Sequence, residues 1–102
     1  MSVVIAPEGE LDLHAARALA PQLAEAATGD FPVLVVDLSA VTFLDSTGLG
    51  GIIQAHQRLQ RQGRTLKVVA PRGSAAAVLV DLTGLRGKLN MYASREEALD
   101  GG

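Results

Sequence analysis

The run Leu44-Asp45-Ser46-Thr47-Gly48-Leu49-Gly50-Gly51 gathers a carboxylate, two hydroxyls and three glycines into one short stretch of a 102-residue chain. Hydroxyls beside glycines suggest a nucleophile or an anion-binding turn, and each has its own spacing. A nucleophile elbow needs Gly-x-Ser-x-Gly, but Leu44 stands two before Ser46, so only Gly48 fits. A serine nucleophile also needs a base, and the chain offers only His14 and His56. There is no Gly-x-x-x-x-Gly-Lys-Ser/Thr, and Gly48-Leu49-Gly50 lacks a glycine three residues on, which disfavours P-loop and dinucleotide sites. Glu10, Asp12, Asp37 and Asp45 could pair as acid and base, but nothing in their spacing selects a pair. No His/Asp cluster has the spacing of a metal site. Catalysis is the weaker class here.

The stronger class makes Ser46 a substrate. A hydroxyl at a helix start, flanked by residues too small to obstruct it, is open to a kinase. Phosphorylation adds about −1.5 to −2 charge. The helix dipole favours that charge, while Asp45 and Asp12 oppose it. A near-neutral surface turns strongly acidic, enough to eject a partner packed closely there. The residues alone leave a second reading open. Asp45-Ser46-Thr47 is then only an over-furnished cap, with Asp45 or Ser46 at the N-cap position and glycines for tight helix–sheet packing. Each glycine costs about 1 kcal/mol against alanine inside a helix. Both readings therefore need close approach, of a partner in one and of the chain itself in the other.

The elements that must hold this turn are marked off by Gly and Pro. Val3–Ile5 reads as an edge strand, with Pro7 limiting it. Gly9-Glu10-Leu11-Asp12 turns the chain into a helical pattern over Leu13–Thr28, with Ala15, Leu19, Leu23 and Ala26 or Ala27 on one stripe. Pro21 either kinks that helix or lies in the first turn of its regular part. The β-branched run Val33–Leu38 lacks alternation, as in a parallel strand covered on both faces. After Val41-Thr42-Phe43-Leu44 a helical face follows in Leu49, Ile52, Ile53, His56 and Leu59, ended by Gly63. Thr65–Ala70 is a third strand. Ser74 caps a helix expected to face Ala75, Val78, Leu79 and Leu82 inward, with Gly84 at its end. Leu89–Tyr92 is a last strand, Ser94-Arg95-Glu96-Glu97 a capping box, and residues 100–102 a frayed tail. Alternating strands and helices of this kind make an α/β fold with a mostly parallel four-stranded sheet. Its strand-to-helix turns gather along one edge, where the Leu44–Gly51 turn is placed.

Composition narrows the function. The chain is 48% hydrophobic but 3% aromatic, with Phe31, Phe43 and Tyr92 its only rings, so base-stacking platforms and aromatic cages are disfavoured. A net charge of −2 lacks the basic excess of a nucleic-acid binder. Without cysteine there are no disulfides, iron–sulfur clusters or thiol catalysis. No targeting signal or membrane-length apolar run is visible, which leads to the expectation of one cytoplasmic domain over residues 1–102.

Phe43-Leu44-Asp45-Ser46-Thr47-Gly48-Leu49-Gly50, preceded by Val35-Val36-Asp37-Leu38, resembles the signature of the STAS-domain anti-sigma-factor antagonists. Gly9-Glu10-Leu11-Asp12, Leu82-Thr83-Gly84-Leu85 and the Ser94–Leu99 segment fit that family's other motifs, so the likeness runs from about Val3 to Leu99. The resemblance implies a transcription regulator working by partner switching rather than an enzyme. The unphosphorylated antagonist binds an ATP-binding anti-sigma factor with serine-kinase activity and frees a sigma factor. That partner, supplying the ATP, phosphorylates the antagonist, and a serine phosphatase restores it. The acceptor is by position Ser46, with Thr47 its non-acceptor neighbour. Asp12 and Asp45 sit beside it, and Gly48, Leu49 and Gly50 belong to the docking face. No cofactor, metal, nucleic acid or membrane is implied. The alternative within the family is a non-switching scaffold or accessory module of a transporter ATPase or stress-sensing complex. Family members open with an extra strand, whereas Met1–Glu8 is long enough for one strand. The sheet is therefore expected to lack the usual first edge strand and to invite homodimerisation through the open edge.

Overall fold

The computed structural model describes residues 2–100. In chain order the elements are β1 (Ser2–Ile5), β2 (Gly9–Leu11), α1 (Leu13–Ala27), β3 (Val33–Asp37), β4 (Val41–Leu44), α2 (Ser46–Arg61), β5 (Thr65–Val69), α3 (Ala75–Thr83), β6 (Asn90–Tyr92) and α4 (Arg95–Asp100), with a single 3₁₀ turn at Arg86–Lys88. The four expected strand runs form one sheet in the order β1-β3-β5-β6, and every pair in it is parallel. β1 is an edge strand, as Pro7 suggests.

Why β3 and β5 do not alternate is plain from their two faces. Leu34, Val36, Leu66 and Val68 point into the main core, which they share with Leu19, Leu23, Ile52 and Leu59 of α1 and α2. Val35 and Val69 point the other way, into a small cluster closed by Ala98 of α4. Both faces are covered, so both need apolar side chains.

Three expectations need correction. Gly9–Leu11 is a strand, not merely a turn: β2 pairs in parallel with β4 in a second, two-stranded sheet. Two strands rather than one therefore precede α1. Residues 41–44, whose periodicity is too short to assign, form the partner strand. α3 is rotated from the expected phase: Ala76, Ala77 and Val80 are buried, whereas Val78 is 48% and Leu82 80% exposed. Its sequence Ala-Ala-Ala-Val-Leu-Val-Asp-Leu has almost no polar face from which to read a phase.

The remaining ends behave as their residues dictate. α1 runs from Leu13 to Ala27 with Pro21 inside it, which overturns a regular helix beginning only near Pro21. Ala15 and Ala26 line the core beside Leu19 and Leu23, while the Ala27 side chain lies outside the described ones. Ser74 accepts from the Ala77 amide at 3.2 Å, and Gly84 ends α3 in the left-handed region at φ 72°. Asp100 belongs to α4; the rest of the expected tail, residues 101–102, lies outside the described residues.

Candidate functional site

The site is built by two strand–helix units lying side by side. β2 and β4 pair so that Leu11 stands opposite Leu44. The next residue on each chain, Asp12 or Asp45, is the N-cap of the helix that follows. Asp12 accepts from the Ala15 amide at 3.0 Å, and Asp45 from the Gly48 amide at 3.0 Å. The Asp45 amide donates in turn to the Leu11 carbonyl at 3.4 Å, tying one unit to the other. Because α1 and α2 pack against each other, their N-terminal ends open onto the same surface with both carboxylates at its rim.

Ser46 is the first residue of α2 and is exposed. With Asp45 as the cap, the Ser46 hydroxyl is not needed by the helix, and it makes no hydrogen bond among the described residues. Thr47 beside it is exposed too. The amides of Ser46 and Thr47 lie in the first turn and have no intrahelical acceptor, so an anion on Ser46 would meet donors there.

The glycines divide between the two readings. A Cβ on Gly48 would stand 3.0 Å from the Leu11 carbonyl oxygen and 2.8 Å from Leu44 Cδ1, so this glycine lets α2 approach β2. Gly50 and Gly51 have open space where a Cβ would go. Gly48 and Leu49 are buried, Leu49 only 3% exposed, which corrects their expected place on a docking face. They position the helix from within, and the surface is left to Ser46, Thr47 and half-buried Gly50.

Three large apolar side chains on β4 and α3 are exposed although their residue types would suit a core. Phe43, on the strand leading into Asp45, is 49% exposed. α3 packs against that strand and presents Val78 and Leu82 to solvent. The signal was available in the unbroken apolar run of α3, which is too rich to be consumed by one buried face.

The other candidates take structural places. Asp37 is buried and accepts from the Ser39 amide and hydroxyl, and Arg95 Nε meets it at 2.8 Å. Burial alone opposes its charge, but the Ser39 and Arg95 hydrogen bonds outweigh that and hold the carboxyl below its ordinary value. With Asp12 and Asp45 used as caps, the scattered carboxylates do not converge into an acid–base pair. His14 is exposed on the first turn of α1, and His56 is half-buried ten residues along α2, about 15 Å from Ser46 by helix rise. Neither is hydrogen-bonded to Ser46, and a hydrolase arrangement is not assembled among the described residues. No group of His, Asp or Glu among them could hold a metal ion, and no described helix is long and apolar enough to cross a membrane.

The STAS domain family profile matches residues 2–98. The anti-sigma-F factor antagonist RsfB of Mycobacterium tuberculosis is 33% identical over 99 residues, which span 96% of this chain and 79% of RsfB. Among solved structures, an anti-sigma factor antagonist from Mycobacterium paratuberculosis superimposes with a TM-score of 0.90 at 33% identity, covering 98% of this chain and 84% of that one. The anti-sigma factor antagonist SpoIIAA in its unphosphorylated form gives 0.78 at 25% identity, over 98% and 86% of the two chains.

Proposed function

The chain belongs to the STAS domain family, among its anti-sigma-factor antagonists, and on that premise we propose that it is a phosphorylation-controlled partner switch centred on Ser46. Unphosphorylated, it binds an ATP-binding anti-sigma factor and so releases a sigma factor. The partner's kinase activity then transfers the γ-phosphoryl group of ATP to Ser46 Oγ, leaving ADP and releasing the hydroxyl proton. A serine phosphatase reverses the modification by hydrolysis. The chain itself is a regulator rather than an enzyme, needs no cofactor of its own and works in the cytoplasm.

The observation that carries this reading is the Ser46 hydroxyl: exposed, unbonded and at the head of a helix already capped by its neighbour. Unmodified, the turn is small and near-neutral at its tip, and the exposed Phe43 on the strand leading into it offers apolar surface that a partner can bury. Modified, it carries about two further negative charges beside Asp12 and Asp45. The helix N-terminus tolerates that charge in water. A docked partner does not, because the phosphate would have to shed its water without a matching cation. The four-residue β1 edge, with no outer partner among the described residues, is the place for self-association if the chain dimerises.

The test is a phosphorylation assay with radiolabelled ATP and the ATP-binding anti-sigma factor of the same organism. Wild type and Thr47→Ala take up label, and Ser46→Ala does not. Ser46→Glu loses binding to that partner. Label retained by Ser46→Ala, or full binding by Ser46→Glu, would overturn the switch.

A further inference from the structure

A second surface begins where the switch turn ends. Between α1 and α2 runs an open groove of about 400 Å³ that starts at Gly48 and ends at Arg61. Small residues line much of it, Ala20 and Ala24 on α1 and Gly51 and Ala55 on α2, with the exposed Gln54 and Gln57 as polar groups on the α2 side. At the end far from Ser46 stand Arg58 and Arg61, which make no ion pair or hydrogen bond among the described residues. Nothing acidic offsets them on this helix. From Ser46 to Val80 the chain holds Arg58, Arg61, Arg64, Lys67 and Arg72 and no Asp or Glu, although the whole protein is net negative.

Gly51 distinguishes this groove from ordinary packing. Gly48 is required by the Leu11 carbonyl, but a Cβ on Gly51 would meet nothing within 4 Å. The fold therefore does not need a glycine at 51, and accepts a helix-interior penalty of about 1 kcal/mol there. What the glycine does is keep the groove floor at backbone level.

From these features we propose that the groove receives an amphipathic helix of the same anti-sigma factor that docks at Ser46, its acidic end lying against Arg58 and Arg61. The inference rests on the partner-switch reading. Small residues on both walls let a helix backbone come close, as in other helix-in-groove complexes. Charge fixes the polarity: the acidic end lies about 20 Å from Gly48, the rise of the intervening helix. The groove runs along α2 from the turn that follows Ser46, past Gly51 and Gln54, so one partner spans both. Phosphorylation breaks the contact at one end of a longer interface.

The experiment is titration of the full chain with that anti-sigma factor at two salt concentrations, alongside thermal unfolding. Arg58→Glu/Arg61→Glu is expected to weaken binding about tenfold or more and to flatten its salt dependence. Gly51→Ala, whose Cβ meets open space, is expected to weaken binding about threefold or more while leaving the melting temperature equal to or above wild type, a split that a purely structural glycine would not give. If both groove variants bind like wild type while Ser46→Glu does not, the groove proposal is wrong and the switch stands. If Ser46→Glu binds fully, or wild type does not bind at all, the switch reading fails and the groove proposal falls with it.

Discussion

Gly48 lies so close to Leu11 that a Cβ on it would stand 3.0 Å from the Leu11 carbonyl oxygen. That approach draws the start of α2 over β2 and leaves Ser46 at the crest. Gly48→Ala gains helix propensity of about 1 kcal/mol but must push backbone away from backbone, and overpacking of this kind costs about 1–3 kcal/mol. The net outcome expected in urea unfolding is a less stable protein. Gly50→Ala, which meets open space, should instead gain up to about 1 kcal/mol. Equal gains at both positions would show that α2 can shift freely off β2.

Asp45 has two separable properties, its hydrogen bond and its charge. Asp45→Ala removes the acceptor for the Gly48 amide and should cost about 1 kcal/mol. Asp45→Asn keeps an equally good N-cap and should stay within a few tenths of a kcal/mol of wild type. Denaturant midpoints for the pair decide it: a loss with Asn as large as with Ala would assign the effect to charge and not to the cap.

How much of this was legible beforehand follows from what each segment demands of its residues. The four main strands read clearly because their runs are short, rich in β-branched residues and bounded by Gly or Pro, even though Asp37 and Lys67 put charges at two buried positions. The site read clearly because Asp45 at the N-cap and Gly48 three residues on are positions that restrict side-chain type, with Ser46 between them. β2 and β4 did not. Each is three or four residues long, and each exists because the other lies alongside, a pairing that no local period encodes. The phase of α3 was lost for the opposite reason, since a helix apolar all round gives no preferred side. Gly48 and Leu49 belong to the motif, but their places inside the fold required the position of Leu11 to be known.

Lys67 is a buried cation whose task is to hold α4. It is 3% exposed, its ammonium donates to the Ala98 carbonyl at 2.7 Å, and it sits 5.2 Å from the Tyr92 ring centre. Lys67→Ala leaves a cavity and an orphaned carbonyl, together worth about 2–4 kcal/mol. Lys67→Met keeps the volume and should cost less. In hydrogen exchange the α4 amides should lose protection in Lys67→Ala before those of β3 do, because only a small valine cluster and Arg95 would still retain the helix. Unchanged α4 exchange would show that the lysine is not its anchor.

Asp37 and Arg95 make the other attachment of α4, and its pH dependence has a definite sign. The buried carboxylate, hydrogen-bonded by Ser39 and paired with Arg95 at 2.8 Å, is held below its ordinary value of 3.8. A carboxyl that titrates lower when folded than when unfolded stabilises the fold fully above the unfolded value, and that contribution fades as pH falls through the folded one. At neutral pH, Asp37→Asn should therefore be less stable than wild type. It cannot accept the Arg95 pair as a charge, and it leaves that guanidinium unmatched. As pH falls below about 3.8 the unfolded carboxyl protonates first, and the two stability curves should draw together on the way down to the lower folded value. Urea midpoints of both proteins from pH 7 down to pH 3 provide the comparison. A gap that stays constant across that range would assign the loss to shape rather than to the charge that ties β3 to α4.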